Sequence, residues 1–250
     1  MKSIVVANWK MNPQTAREAR ALFAATKKAA DSAPSVEIIV APPLLYLHEL
    51  SSRYRGKRIV FAAQNAHWDD TRAHTGEVSL RQVEDAGARF VLVGHAERRN
   101  FGESNDDTRN KVASALAQKM TPILCVGEKE RGQAGEHFAF IREQLLVGLA
   151  DVSSSALPRV MIAYEPVWAI GAVSSMEPRQ MHEMTIFIRK TIVDSYGVRG
   201  HLMKILYGGA VDESNAGAMV RDGDVNGLLV GRVSTDAKAF KELLITIQNV

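Results

Sequence analysis

Residues 160–166 read Val160-Met161-Ile162-Ala163-Tyr164-Glu165-Pro166: five apolar residues without a break, then a carboxylate and a proline. A half-buried strand alternates apolar and polar side chains. A run that stays apolar at every position suits a strand buried on both faces, as in a parallel sheet. Working outward from this run, the same pattern recurs in both directions. Ile4–Ala7, Val36–Ala41, Arg58–Ala63, Phe90–Gly94 and Pro122–Gly127 precede it, and Met203–Tyr207 and Leu228–Gly231 follow, giving eight predicted strands.

Longer amphipathic stretches fill the gaps. Residues 15–30 open with Thr15-Ala16-Arg17-Glu18, the pattern of a capping box. Leu44–Tyr54 precedes Gly56, and Ser79–Ala86 stops at Gly87, a candidate C′ glycine. Asn105–Lys119, Glu136–Leu149 and Pro178–Tyr196 follow, the last with proline in its first turn. A weaker helical piece spans about 213–221, and Asp236–Gln248 closes the chain. Eight strand–helix units in 250 residues predict an α/β protein folded as a single (β/α)8 barrel, with residues 1–250 as one domain. A doubly wound open sheet is the competing architecture.

Composition narrows the function classes. Thirty-one Lys and Arg against 28 Asp and Glu leave a net charge of +3, with no basic block to suggest nucleic-acid binding. The one cysteine, Cys125, excludes an intrachain disulfide and a cysteine-based zinc site. The apolar run at Ile4–Ala7 is too short for a signal peptide, and no stretch is long enough to span a membrane. A cytoplasmic protein that binds neither nucleic acid nor membrane is expected.

Barrel enzymes build their sites where strands end. Here the strand ends supply Asn8-Trp9-Lys10, His95-Ala96-Glu97, Glu165-Pro166, Gly208-Gly209-Ala210 and Gly231-Arg232. Taken singly, each has a plain structural explanation: a hydrogen-bonded histidine, a solvated lysine, a capping glutamate, a glycine turn. Their coincidence at one end of different strands points to a shared site. Proton abstraction beside a carbonyl needs a base within hydrogen-bond reach, and a water-excluded glutamate provides one. Charge developing on oxygen needs prepositioned donors, which Lys10 and His95 can supply. No dinucleotide fingerprint and no close metal-ligand cluster is present, so neither cofactor nor metal is expected.

Asn8-Trp9-Lys10-Met11-Asn12, Gly94-His95-Ala96-Glu97-Arg98-Arg99, Ala163-Tyr164-Glu165-Pro166-Val167-Trp168-Ala169-Ile170-Gly171 and Tyr207-Gly208-Gly209 resemble the signature stretches of the triosephosphate isomerase family. Gln64-Asn65, Thr75-Gly76-Glu77, Phe101-Gly102-Glu103 and Cys125-Val126-Gly127-Glu128 add to the resemblance, which runs in order from residue 4 to about 235. It implies that the enzyme interconverts dihydroxyacetone phosphate and D-glyceraldehyde 3-phosphate through an enediolate. Glu165 would be the base, His95 a neutral imidazole that polarises the carbonyl, and Lys10 the positive charge for the enediolate and phosphate. Asn8 would orient the substrate and Lys10, and Glu97 would stand beside Lys10. Backbone N–H groups of Gly171, Ala210, Gly231 and Arg232 would hold the phosphate of a small sugar ester. Pro166, Val167, Trp168, Ala169, Ile170, Gly171, Ala172, Val173, Ser174, Ser175 and Met176 would form a lid that excludes water. Residues 64–78 would be an arm that enters a second subunit, with Thr75 reaching the partner's site, which implies a homodimer.

Four positions depart from the family's pattern. Ala96 stands where serine is usual, Ala172-Val173-Ser174 replaces Thr-Gly-Lys in the lid, Ala210 replaces serine, and Arg232-Val233 replaces glycine–alanine. The β-branched Val173 narrows backbone freedom, so slower or less favoured lid closure is expected. The side chain of Arg232 either adds charge near the phosphate or points outward. Three other readings compete: an isomerase of a related sugar phosphate such as a tetrulose phosphate, a non-catalytic phospho-ligand-binding barrel, and a Schiff-base aldolase using Lys10.

Overall fold

The computed structural model describes residues 2–132, 134–169 and 176–250. Eight parallel strands, β1 (Ile4–Asn8), β2 (Glu37–Ala41), β3 (Ile59–Ala63), β4 (Ala88–Val93), β5 (Thr121–Val126), β6 (Met161–Tyr164), β7 (Lys204–Tyr207) and β8 (Gly227–Val230), follow one another around a ring. β1 pairs with β2 on one side and with β8 on the other, so the sheet closes and the open-sheet alternative is excluded. Helices α1 (Ala16–Asp31), α2 (Leu44–Arg53), α3 (Leu80–Asp85), α4 (Ala96–Asn100), α5 (Asn105–Ala117), α6 (Glu136–Gly148), α7 (Pro178–Tyr196), α8 (Ala216–Asp222) and α9 (Ala237–Gln248) alternate with them.

Strand side chains divide by the two-residue period of the pleat. Ile4, Val6, Ile39, Leu92, Ile123, Met161, Leu206 and Leu229 fill the barrel interior. Val5, Ala7, Ile38, Val40, Val93, Leu124 and Ile162 face the helices. Both sets are buried, which is why the runs read as continuously apolar.

Local chemistry sets most boundaries. Thr15 caps α1 through a capping box with Glu18, as its spacing predicts. Ala19, Phe23, Thr26 and Ala30 then recur on the buried face of that helix. Gly94 ends β4 with a left-handed backbone (φ +71), a conformation that any side chain would strain. The helix expected over 213–221 starts later, at Ala216. The Asp212 carboxylate accepts the N–H groups of Ser214 and Asn215, and this turn competes with helix at its first residues. Asp236 likewise caps α9 rather than joining it, accepting from the Lys238 and Ala239 N–H groups. α4 was not expected from the sequence, because five residues are too few to show a period.

Candidate active site

The inward register of the strands continues past their ends. It reaches Asn8 and Lys10 beyond Ile4 and Val6, Glu165 beyond Met161 and Ala163, Gly208 beyond Leu206, and Gly231 beyond Leu229. These residues, His95, Ala210 and Arg232 line one cavity of about 980 Å³ at the C-terminal mouth of the barrel. The carboxylate, imidazole and ammonium singled out from the strand ends therefore converge.

Glu165 is 2% exposed, and a buried carboxylate needs donors because its desolvation costs several kcal/mol. It has two neighbours that can serve. The Ala96 N–H donates to Oε2 at 3.0 Å, and Nε2 of His95 lies 3.4 Å from Oε1. Close packing behind the carboxylate is set by Gly127, where any side chain would overlap the Glu165 carbonyl oxygen. Below it, Cys125 is fully buried; burial first, and then the charge of Glu165, push its thiol pKa well up, so the sulfur stays protonated.

His95 is the N-cap of α4, and its Nδ1 accepts the Glu97 N–H at 3.2 Å. A ring nitrogen that accepts an N–H carries no proton. While this bond holds, the imidazole is neutral and Nε2 is the protonated nitrogen, facing Glu165.

Lys10 has a left-handed backbone (φ +52), unusual for a residue with a long side chain. One local and one long-range side-chain bond hold it there. Its N–H donates to Asn8 Oδ1 at 3.0 Å, and Gln64 Nε2 donates to its carbonyl at 2.8 Å and to that of Ala41 at 2.8 Å. The ammonium pairs with Glu97 Oε1 at 2.6 Å, while the other oxygen of Glu97 lies 3.8 Å from His95 Nδ1. Glu97 thus stands between the two.

Supporting contacts gave no local signal in the sequence. Buried Glu103 accepts the Gly94 N–H at 2.8 Å and pairs with Lys111 at 3.1 Å. Arg99 donates to the carbonyls of Gly94 and Cys125, tying β4 to β5 beside the site. The Ser234 hydroxyl lies within 2.6 Å of the Gly231 carbonyl. Gln64, Glu103 and Cys125 lay within the resembling stretches, but neither period nor spacing assigned them a role.

The described residues on either side of 170–175, within the stretch that the family resemblance reads as a lid, are held by hydrogen bonds. Val167–Ala169 form a 3-10 turn after Glu165-Pro166, and the Val167 N–H donates to the Glu128 carbonyl at 2.9 Å. Buried Glu128 accepts from the Tyr164 hydroxyl and from Trp168 Nε1, each at 2.9 Å, and pairs with Arg131 at 3.3 Å. Burial, reinforced by the Glu128 charge, raises the Tyr164 hydroxyl pKa, keeping it a donor. At the far end the Met176 N–H donates to the Tyr207 hydroxyl at 3.3 Å; burial raises the pKa of that hydroxyl to about 12. Ile170, Gly171, Ala172, Val173, Ser174 and Ser175 lie outside the described residues, and with them the expectation about Val173 and the proposed N–H of Gly171.

Thr75 is exposed on the arm after β3 and does not line the cavity of its own chain. Within the arm His67 stacks on Trp68 at 4.2 Å and lies tilted against His74 at 4.3 Å. Among the described residues no group of three or more His, Cys, Asp or Glu could hold a metal ion, and no helix is long and apolar enough to cross a membrane.

The sequence profile described as triosephosphate isomerase matches residues 3–247. The chain is 39% identical over 246 residues to the triosephosphate isomerase of Endomicrobium trichonymphae, covering 97% of this chain and 98% of that one. It is 42% identical over 239 residues to that of Xylella fastidiosa strain M12, with 95% of each chain covered. To that of Aquifex aeolicus strain VF5 it is 36% identical over 246 residues, covering 98% and 99%. These similarities favour neither the tetrulose-phosphate nor the non-catalytic alternative.

Proposed function

The chain belongs to the triosephosphate isomerase family and interconverts dihydroxyacetone phosphate and D-glyceraldehyde 3-phosphate; from that premise we propose that Glu165, His95 and Lys10 divide the reaction between them. Glu165 takes the proton from C1 of the ketone and returns it to C2, while the proton of the C1 hydroxyl passes to the C2 oxygen. Nε2–H of His95 and the ammonium of Lys10 stabilise the oxyanions of the enediolate. Asn8 holds the backbone of Lys10, and Glu97 holds its ammonium. The observation that carries this reading is the 3.4 Å approach of His95 Nε2 to Glu165 Oε1 inside the cavity that Lys10 also lines.

The phosphate is held by oriented backbone N–H groups at Ala210, Gly231 and Arg232, joined by that of Gly171. Pro166–Met176 closes over the substrate and keeps water from the enediolate. The chain works as one domain in the cytoplasm and as a homodimer, with Thr75 brought to the partner's site. Support for the dimer comes from Met11, Leu45 and Phe101, which are 82%, 87% and 81% exposed. They follow β1, β2 and β4, at the end of the barrel that also carries the arm after β3, and large exposed apolar side chains there suit a contact surface.

A coupled assay starting from glyceraldehyde 3-phosphate, with Glu165→Gln as control, tests the reading. Turnover by the native chain and its loss in the variant are expected; turnover that survives the substitution would refute the assignment of the base.

A further inference from the structure

We infer that the guanidinium of Arg232 is a specificity-determining cation, gripping the substrate's phosphate at the mouth of the cavity. The inference rests on the isomerase reading and deepens it, because that reading uses only the backbone N–H of Arg232.

Position comes first. Gly231 continues the inward register of β8, and a methyl group there would come 3.2 Å from Lys10 Cε. Arg232 is the next residue. It opens the 3-10 turn Arg232–Thr235, is exposed, and lines the same cavity. Arg232 therefore sits on the wall of the site, one residue from the point that faces Lys10.

Charge comes second. The described lining carries the carboxylates of Glu165, Glu177 and Asp212 against the cations of Lys10 and Arg232. Lys10 is already engaged by Glu97 at 2.6 Å. A phosphate dianion entering this cavity meets more negative charge than positive. Among the described residues Arg232 has no carboxylate partner and no side-chain hydrogen bond, so its charge is available to the ligand.

Hydrogen-bond supply comes third. Several polar side chains of the lining donate to the protein itself. The Ser214 hydroxyl donates to Asp212 at 2.5 Å and the Thr235 hydroxyl to the Arg232 carbonyl at 2.8 Å. Asn215 Nδ2 donates to the Ala210 carbonyl at 3.3 Å, and residue 210 itself has no hydroxyl. The Arg232 guanidinium is a charged side-chain donor of this lining with no partner among the described residues, and its planar fork matches two phosphate oxygens at once.

The test compares Arg232→Ala and Arg232→Lys with the native enzyme. The readouts are KM and kcat for glyceraldehyde 3-phosphate, competitive inhibition by inorganic phosphate, and slow turnover of unphosphorylated glyceraldehyde. For Arg232→Ala, KM and the inhibition constant of phosphate should each rise about ten-fold, with a smaller change in kcat. Arg232→Lys should recover part of the loss, because it restores the charge without the fork. Turnover of glyceraldehyde, which carries no phosphate, should fall by a smaller factor than that of glyceraldehyde 3-phosphate. An unaltered KM and phosphate inhibition in an Arg232→Ala enzyme with a native melting curve would overturn the inference. So would an equal loss with glyceraldehyde, which would indicate a structural role. Either result leaves the isomerase reading standing provided that Glu165→Gln is inactive; an active Glu165→Gln would overturn that reading as well.

Discussion

Glu165 and Ala96 are joined by a single hydrogen bond, 3.0 Å from the Ala96 N–H to Oε2, across 69 residues of chain. The bond orients the buried carboxylate, yet it comes from backbone and leaves Oε1 toward His95. Glu165→Gln keeps the size of the side chain but removes its basicity. Its kcat/KM should fall by about 10²–10⁴-fold, while thermal unfolding stays near that of the native chain. Parallel kinetics and a melting curve check both halves.

Lys10 combines a positive φ with an ammonium paired to Glu97. Lys10→Gly relieves a conformation that costs about 1 kcal/mol or more in a non-glycine residue. The half-exposed ion pair that it removes is worth at most about 1 kcal/mol. Stability should therefore change little while activity collapses. A strongly destabilised variant in urea unfolding would show that Lys10 is part of the framework.

Glu128 gathers Tyr164, Trp168 and Arg131 beside the Val167–Ala169 turn. Tyr164→Phe deletes one donor and leaves two, so it should cost about 1 kcal/mol. Glu128→Ala strands the buried Tyr164 hydroxyl and the Arg131 charge together, and should cost about 3 kcal/mol. Equal losses in denaturant titrations would contradict this ranking.

On the arm, the hydroxyl and N–H of Thr71 hold the Asp69 carboxyl pKa down from its ordinary 3.8 to about 2. The folded arm then binds fewer protons than the unfolded chain between those values. Its contribution to stability is full above the ordinary pKa and fades as pH falls toward about 2. A carboxyl carbon titration should find the midpoint near 2; an ordinary midpoint would mean that the Thr71 contacts do not persist in solution.

Leu45 and Phe101, in the segments that follow β2 and β4, expose most of their surface. Introducing Asp at both should cost the isolated fold little, since neither side chain is packed, but a desolvated pair of charges would oppose subunit contact. Sedimentation should show monomers in place of dimers, with kcat reduced. A native-like dimer would exclude this surface.

Much of the molecule was legible before folding was considered. The eight apolar runs, the Thr15–Glu18 capping box, the proline that opens α7 and the residues at the strand ends are local features, governed by a two-residue pleat or a helical turn. The short helix α4 and the late start of α8 escaped because one is too brief to show a period and the other yields to the Asp212 turn. By itself the sequence determined the order of strands and helices, and which chemical groups stand at the strand ends. Tertiary structure alone decided that Glu97 meets Lys10 across 87 residues, that Gln64 holds a left-handed lysine in place, and that Glu165 rests on Ala96. The physical reason is range. Backbone propensity and periodicity act over a few residues, whereas these contacts exist only after β1 has paired with β8 and the closed ring has set every strand's register.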